Sequence, residues 1–410
     1  MKVCFCSTFL NDEKDAILNS KIAPSVSTHN FNINLLNGLR KNLGNDLTII
    51  NTEKLASFPN YRKVLIKSTR EMNDKIGMYF NIGKINLPIL KDIIEYFKLK
   101  RQLEKWIKFN TNDAMYICAY GRRLSHVLAI NKMKKIYPEI TTCMALADLS
   151  GNLACKTASY GRVKDQIANM LLDFQIKQSK KFDSFVLLTK QMYEYLKLNN
   201  KPFTIIEGIY STDLINSDIN INENTSEKKI IAYSGILSSQ YNVDNLLDVF
   251  ELIQDSNYQL WLFGDGDLKS KIVEKSKSDN RIKFFGYVDN KSLKEHLNKA
   301  TVLINPRQNI GEYTKYSFPS KVIEYLTLKK PVIGYKLDGI PDEYDKYIFY
   351  PNDNTVESLR YEIEKVCNYN SGQLHEIGNV NYNFICEYKN STVQTNKILN
   401  MFKNMEGEKL

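Results

Sequence analysis

The stretch from Tyr316 to Tyr335, YSFPSKVIEYLTLKKPVIGY, carries the residues of this 410-residue chain whose types and spacing point most directly to chemistry. At about 100° per helical residue, Val322, Ile323 and Leu326 form a core stripe, while Lys321, Glu324 and Leu328 fall on the opposite face. Pro319 suits a first helical turn, where its missing N–H is not needed. Ser317 or Ser320 can satisfy the free amides there. Those amides, the positive end of the helix dipole and the Lys321 ammonium make a seat for an anion. One turn on, Glu324 can accept hydrogen bonds from vicinal hydroxyls. An anion seat beside a hydroxyl-seeking carboxylate fits a nucleotide, with diphosphate at the helix start and ribose at the carboxylate. The competing reading is an exposed Lys321–Glu324 ion pair of small energetic value.

Such a site needs a frame. Short β-branched runs alternate with helical patterns along the whole chain. VCFCSTF, DLTIINT, MYICAY, TTCMAL, DSFVLLT and FTIIEGI read as strands of a first domain; KIIAYSG, YQLWLFG, RIKFFGYV, TVLINP and PVIGY read as strands of a second. Helices are expected at Asn242–Gln254, Ser292–Lys299 and Pro319–Leu328. This alternation predicts parallel sheets covered by helices on both faces. The domains are expected at 1–210 and 230–383, joined by a polar Asn/Ser/Asp-rich linker at 211–229, with a last helix over 384–410 returning to the first domain. Two facing doubly wound, Rossmann-like domains leave a cleft between them, and ligands of such sheets bind at the carboxyl ends of the strands.

Composition sets the class. Hydrophobic residues are 43% and charged residues 25%, the balance of a soluble globular chain. The formal charge is +10, and the segment 57–110 alone holds 12 Lys/Arg against 5 Asp/Glu. The seven cysteines show no zinc spacing, so no metal is expected and a reducing compartment is. No run reaches transmembrane length and the amino terminus lacks a signal-peptide pattern, which predicts a cytoplasmic protein, peripheral on the inner face of a membrane at most. GDGD at Gly264–Asp267 lacks the third glycine of a dinucleotide fingerprint. Its D-x-D reads as a strand-end turn rather than a metal site. The four histidines are too scattered to build a nucleophile triad, and no G-x-S-x-G is present.

The second half resembles the nucleotide-sugar domain of family 4-like glycosyltransferases of the GT-B architecture, the kind found in bacterial polysaccharide synthesis. The resemblance is carried, in order, by YSGILSSQYNVDNLLDVFELI, YQLWLFGDGDLKSKI, RIKFFGYV, ATVLINPR and SFPSKVIEYLTLKKPVI, and covers roughly 230–336. It implies that Glu324 holds the donor ribose and that Ser317, Phe318, Pro319, Ser320 and Lys321 hold the diphosphate. It further implies that Gly286, Tyr287 and Val288 seat the base, that Gly235 lies beside the donor, and that Arg307 meets the diphosphate. The chain departs from the family twice. Tyr316 stands where a second Glu often touches the donor sugar, and ILSSQYN after Gly235 lacks the usual Arg and Lys. Arg307 and Lys321 must then carry the positive charge.

The acceptor is expected in the first domain, whose strand-end loops hold Ser25, Thr28, His29, Tyr120, Arg122, Asp148 and Glu207. The resemblance implies retention, with the donor phosphate taking the acceptor proton. An inverting route would make His29 or Asp148 the general base. The basic segment 57–110 is interleaved with Tyr, Phe and Trp, and LPILKDIIEYFKLKRQLEKWIKF is amphipathic. That combination suits an anionic bilayer surface; a core-facing helix with a solvated basic side is the alternative, and no motif supports nucleic acid. The expectation is thus a glycosyltransferase moving a hexose or N-acetylhexosamine from a nucleoside diphosphate, UDP first, to a lipid-linked or oligosaccharide acceptor in surface-polysaccharide or capsule assembly. No cofactor is implied beyond that substrate, and a homo-oligomer is compatible. The rival readings are a sugar-nucleotide epimerase of the same architecture and a non-catalytic partner subunit.

Overall fold

A computed structural model describes residues 1–21, 26–147, 149, 162–211 and 228–407. The chain divides into two units, Met1–Ser211 with Asn390–Leu410, and Thr212–Lys389.

The strands of the first unit are β1 (Lys2–Ser7), β2 (Leu47–Asn51), β3 (Leu65–Ile66), β4 (Thr69–Asn73), β5 (Gly77–Asn81), β6 (Lys84–Ile85), β7 (Met115–Tyr120), β8 (Thr141–Leu146), β9 (Ser184–Leu187) and β10 (Phe203–Ile205). Eight of them form one sheet in the order β10-β9-β8-β7-β1-β2-β5-β4, and β3 pairs separately with β6. Neighbours in the large sheet are parallel except for the β4–β5 hairpin. The central strands are buried on both faces, which is why VCFC and MYICAY read as unbroken apolar runs. The flanking helices are α1 (Glu13–Leu18), α2 (Val26–Leu43), α3 (Leu90–Phe109), α4 (Leu124–Ile136), α5 (Arg162–Ser179) and α6 (Lys190–Leu196).

In the second unit, β11 (Lys229–Ser234), β12 (Tyr258–Phe263), β13 (Ile282–Gly286), β14 (Val302–Asn305), β15 (Val332–Gly334) and β16 (Ile348–Phe349) form an all-parallel sheet in the order β13-β12-β11-β14-β15-β16. Counted within the unit this is 3-2-1-4-5-6, the dinucleotide-fold order, and its direction reverses between β11 and β14. Around it lie α7 (Val243–Leu252), α8 (Lys269–Ser278), α9 (Asn290–Leu297), α10 (Ser320–Leu326), α11 (Val356–Cys367) and α12 (Ser371–Tyr388).

The tail differs from the single helix expected over 384–410. α12 ends at Tyr388, and α13 (Ser391–Gly407) starts after a break at Lys389–Asn390. α13 belongs to the first unit and lies along α2. Gly38 is required at that contact, because a Cβ there would sit 2.0 Å from the Ser391 carbonyl oxygen. Farther along, Phe402 stacks on Tyr116 at 4.2 Å.

The basic segment is only partly helical, since β3 to β6 precede α3. α3 turns Glu95, Leu99, Leu103 and Ile107 inward. Glu95 is wholly buried and binds Lys84 Nζ at 2.7 Å and Arg123 Nη2 at 2.7 Å. Burial first, then Arg123, pushes the Lys84 ammonium down to about 8. Lys84 and Arg123 also donate to the Glu53 carbonyl, fixing the turn after β2.

Candidate donor site at the strand-order reversal

The reversal between β11 and β14 places Gly235 and Arg307 just beyond the carboxyl ends of adjacent strands. Arg307 is only 6% exposed. Its Nη2 donates to Ser317 Oγ at 3.0 Å, and its guanidinium lies 4.7 Å from the Tyr313 ring and 5.7 Å from the Tyr241 ring. Nε has no partner, and among the described residues no carboxylate reaches ion-pair distance of this guanidinium. Ser238, in the loop after β11, likewise buries an Oγ with no partner. A buried guanidinium without a counter-ion is costly unless an anion completes it. Tyr241 and Tyr313 act as its walls; Tyr313 Oη also donates to the Gln240 carbonyl and pins the loop after Gly235.

α10 is fixed by Tyr325, which sequence periodicity did not single out. This residue is wholly buried; its Oη accepts from Ser234 N at 2.8 Å and donates to Ser234 O at 3.2 Å, clamping the helix to the end of β11. Burial pushes its phenol up, against the Lys321 charge and the Ser234 hydrogen bonds. Val322, Ile323 and Leu326 are buried beside it, as the stripe requires. Leu328 is buried too, because the helix stops at Leu326 and the helical angle no longer applies.

Three expectations for the helix start change. Pro319 is the N-cap rather than the first helical residue, and no side chain caps the amides. Ser317 Oγ instead donates to the Tyr313 carbonyl at 3.0 Å, while Ser320 is exposed. Phe318 turns its ring into the core, 5.2 Å from Tyr344, so its side chain is structural. Lys321 and Glu324 project together as expected, joined at 2.8 Å. Burial pulls the Lys321 ammonium down, the Glu324 carboxylate outweighs it, and the net shift is upward. Tyr316 reaches Glu312 at 3.3 Å, and Glu312 also pairs with Lys315 at 2.9 Å.

Gly286 ends β13 with φ 67°, and Tyr287 after it is 86% exposed; Val288 is half-buried. Phe285 stacks on Phe263 at 4.6 Å, which sets the course of this loop. In GDGD, Gly264 has φ 125° and packs so closely that a Cβ would lie 1.9 Å from the Gly235 carbonyl oxygen. Asp265 Oδ1 accepts from Gly266 N at 3.0 Å and lies 3.4 Å from Lys269. The motif thus brings the β11 and β12 loops together.

The first-unit candidates are less uniform. Ser25 and Asp148 lie outside the described residues. His29 is in the first turn of α2 rather than a loop, and its Nδ1 accepts from Leu10 N at 3.1 Å. Thr28 offers its carbonyl to Tyr120 Oη at 3.2 Å, so the buried Tyr120 hydroxyl serves an internal bond. Arg122 is half-buried after β7, and Glu207 is buried after β10.

Residues 228–368 match the family model Glycosyl transferases group 1. The amylovoran biosynthesis glycosyltransferase AmsD of Erwinia amylovora is 20% identical over 332 residues, 76% of this chain and 82% of that protein. Sucrose-phosphate synthase of Thermosynechococcus elongatus superposes over 100% of both chains with a TM-score of 0.61 at 13% identity. HepE of Anabaena, solved with UDP, covers 98% of this chain and 100% of its own with a TM-score of 0.59 at 12% identity.

Proposed function

We propose that this chain, which has the GT-B fold and carries the group 1 match over residues 228–368, is a glycosyltransferase that moves a hexose or N-acetylhexosamine from a nucleoside diphosphate, UDP first, to a saccharide acceptor in bacterial surface-polysaccharide synthesis. The carrying observation is Arg307, a buried guanidinium with an unpartnered Nε and no acid beside it, held at the strand-order reversal by Ser317, Tyr241 and Tyr313. Its planar fork suits a diphosphate. It answers the missing Arg and Lys after Gly235, because a cation arriving from β14 supplies the charge that the β11 loop lacks. The relative acting in amylovoran biosynthesis and the fold shared with a UDP complex support the same reading.

In this proposal Glu324 exchanges its bond to Lys321 for the ribose hydroxyls, and the freed ammonium turns to the diphosphate. The anomeric carbon–phosphate oxygen bond breaks as the acceptor oxygen bonds to that carbon. The acceptor proton passes to the departing diphosphate, with retention. Arg307 and Lys321 stabilise the charge that develops there, the larger part of such catalysis.

Thermal shift tests the site. UDP should raise the Tm of the full chain by mass action. Arg307→Lys, which keeps charge but loses the fork, should weaken UDP about tenfold, and Glu324→Ala should also reduce the shift. Full UDP stabilisation in both variants would place the nucleotide elsewhere.

The acceptor is lipid-linked in this reading. α3 turns Ile93, Phe97, Arg101 and Lys105 outward at fourfold spacing, with Ile89 76% and Phe97 62% exposed. Apolar side chains in line with cations match the chemistry of an anionic bilayer surface. Among the described residues no helix is long and apolar enough to cross a membrane.

A further inference from the structure

α5 carries apolar side chains on two opposite sides. On one, Leu172 and Ile176 are partly covered and Ser179 is buried, and Asn131 of α4 donates to the Gln178 carbonyl at 3.0 Å. On the other, Ile167, Met170, Leu171 and Phe174 follow i, i+3, i+4, i+7 spacing and are 52%, 69%, 49% and 41% exposed. Every position from 166 to 171 is exposed. Six successive helical residues point in all directions, so this half of the helix stands clear of the unit. A helix that is apolar on both sides belongs inside a larger core. The outer stripe offers roughly 400 Å² of apolar surface, as much as the largest patch on a typical monomer.

The exposed apolar faces of α3 and α5 have different rims. On α3 the line continues through Arg101 and Lys105, cations that an anionic bilayer attracts. Around the α5 stripe, from 166 to 176, the rim holds Gln166, Asn169, Asp173 and Gln175 and no cation. Such a rim suits protein rather than anionic lipid. The stripe is also symmetric about its own centre, since Ile167 and Phe174 lie equally far from the midpoint between Met170 and Leu171. A second copy of α5 packed antiparallel across that midpoint sets Ile167 against Phe174 and Met170 against Leu171. The same register brings Gln166 beside the partner's Asp173 and the partner's Lys177, because these positions lie on one flank of the stripe. The Gln166 amide can donate to that carboxylate and accept from that ammonium.

We propose that α5 is the contact between two copies of this chain, a two-fold pairing of antiparallel helices in which one patch meets itself. The four apolar side chains form its centre, and Gln166, Asp173 and Lys177 belong to its rim. A rim of similar area brings each copy near the roughly 800 Å² of a standard interface. The pairing involves only first-unit residues, whereas the candidate donor residues belong to the second.

Sedimentation velocity of the full chain, from about 0.5 to about 50 µM, reads the pairing. A dimer should form in the micromolar range. Its centre is apolar, so its Kd should move less than about threefold between about 0.05 and about 0.5 M salt. Met170→Glu and Leu171→Glu each place a carboxylate beside the two-fold axis and should weaken the dimer at least about thirtyfold. Gln166→Ala should weaken it about tenfold. All three positions are exposed, so the circular dichroism of each variant should match the parent. Mild oxidation should link two copies through Met170→Cys above the wild-type level, but not through Gln178→Cys, which meets its counterpart only in a parallel pair. A chain that stays monomeric at about 50 µM overturns the pairing. So does a dimer indifferent to both glutamates, or cross-linking through Gln178→Cys and not Met170→Cys. A monomer that binds phosphatidylglycerol vesicles, and loses them in Met170→Glu, would give the stripe to lipid instead. A monomer whose Met170→Cys thiol resists maleimide would show that the chain covers the stripe itself, and either result overturns the proposal.

Discussion

Arg307 shows how one side chain can announce a ligand. A surface arginine and a buried one look the same in LINPR; the burial of Arg307, with no counter-ion among the described residues, is what supports its proposed role at a diphosphate. His126 shows the reverse case, a buried titratable group with a structural task. It is wholly buried, its Nε2 lies 2.6 Å from Thr52 Oγ1, and its Nδ1 has no partner. Burial, then Arg123 and Lys84, hold its pKa well below the ordinary 6.5. The unfolded chain takes up a proton here as pH falls through about 6.5, and the folded chain does not, so folding weakens in that direction. We expect the Tm of the first unit to drop between about pH 7 and about pH 5.5. His126→Leu should flatten that limb whatever its Tm at neutral pH. Scans of equal slope for both proteins would assign the acid sensitivity to other groups.

At the scale of elements, the candidate donor site depends on one backbone approach and one clamp. Gly264 lets the β12 loop press against Gly235, and Tyr325 ties α10 to Ser234. Gly264→Ala meets both a φ of 125° and a carbonyl oxygen in the way, so it should cost more than about 1 kcal/mol. Tyr325→Phe leaves the buried Ser234 amide without that acceptor, at about 1–3 kcal/mol. Urea denaturation monitored at Trp261, in the second unit, should show both losses; a midpoint unchanged in either variant would remove that contact from the account. Tyr325 was invisible to periodicity because it lies at the margin of the core stripe. Its hydroxyl finds a partner 91 residues away, which spacing along one helix does not reveal.

For the whole molecule, most of the +10 charge falls in 57–110, with 12 Lys/Arg against 5 Asp/Glu, and α3 within that segment also exposes Ile93 and Phe97. If that face meets lipid, the full chain should co-sediment with phosphatidylglycerol vesicles. Binding should fall steeply between about 0.05 and about 0.5 M salt as the Debye length shrinks. Ile93→Asp with Phe97→Asp should reduce it further without lowering the Tm, since both side chains are exposed. Equal binding to phosphatidylcholine vesicles, or no effect of the pair, would return this face to ordinary solvated surface. The aromatic and basic residues of 57–110 suggested such a surface. That β3 to β6 lie within the segment was not legible. Their short alternations carry too few apolar residues to stand out from loop.

Outside β3 to β6 and the break in the tail, the alternation of strands and helices, the two doubly wound units and the Lys321–Glu324 pair were written in the chain, because alternation, apolar runs and i,i+3 spacing are local properties. Tertiary structure decided the rest: which serine meets Arg307, which phenol holds α10, where Phe318 turns, and that the chain breaks at Lys389 so that its last helix completes the core of the first unit. Those outcomes depend on which distant residue arrives to satisfy a buried polar group or fill a gap, and distance along the sequence carries no record of that.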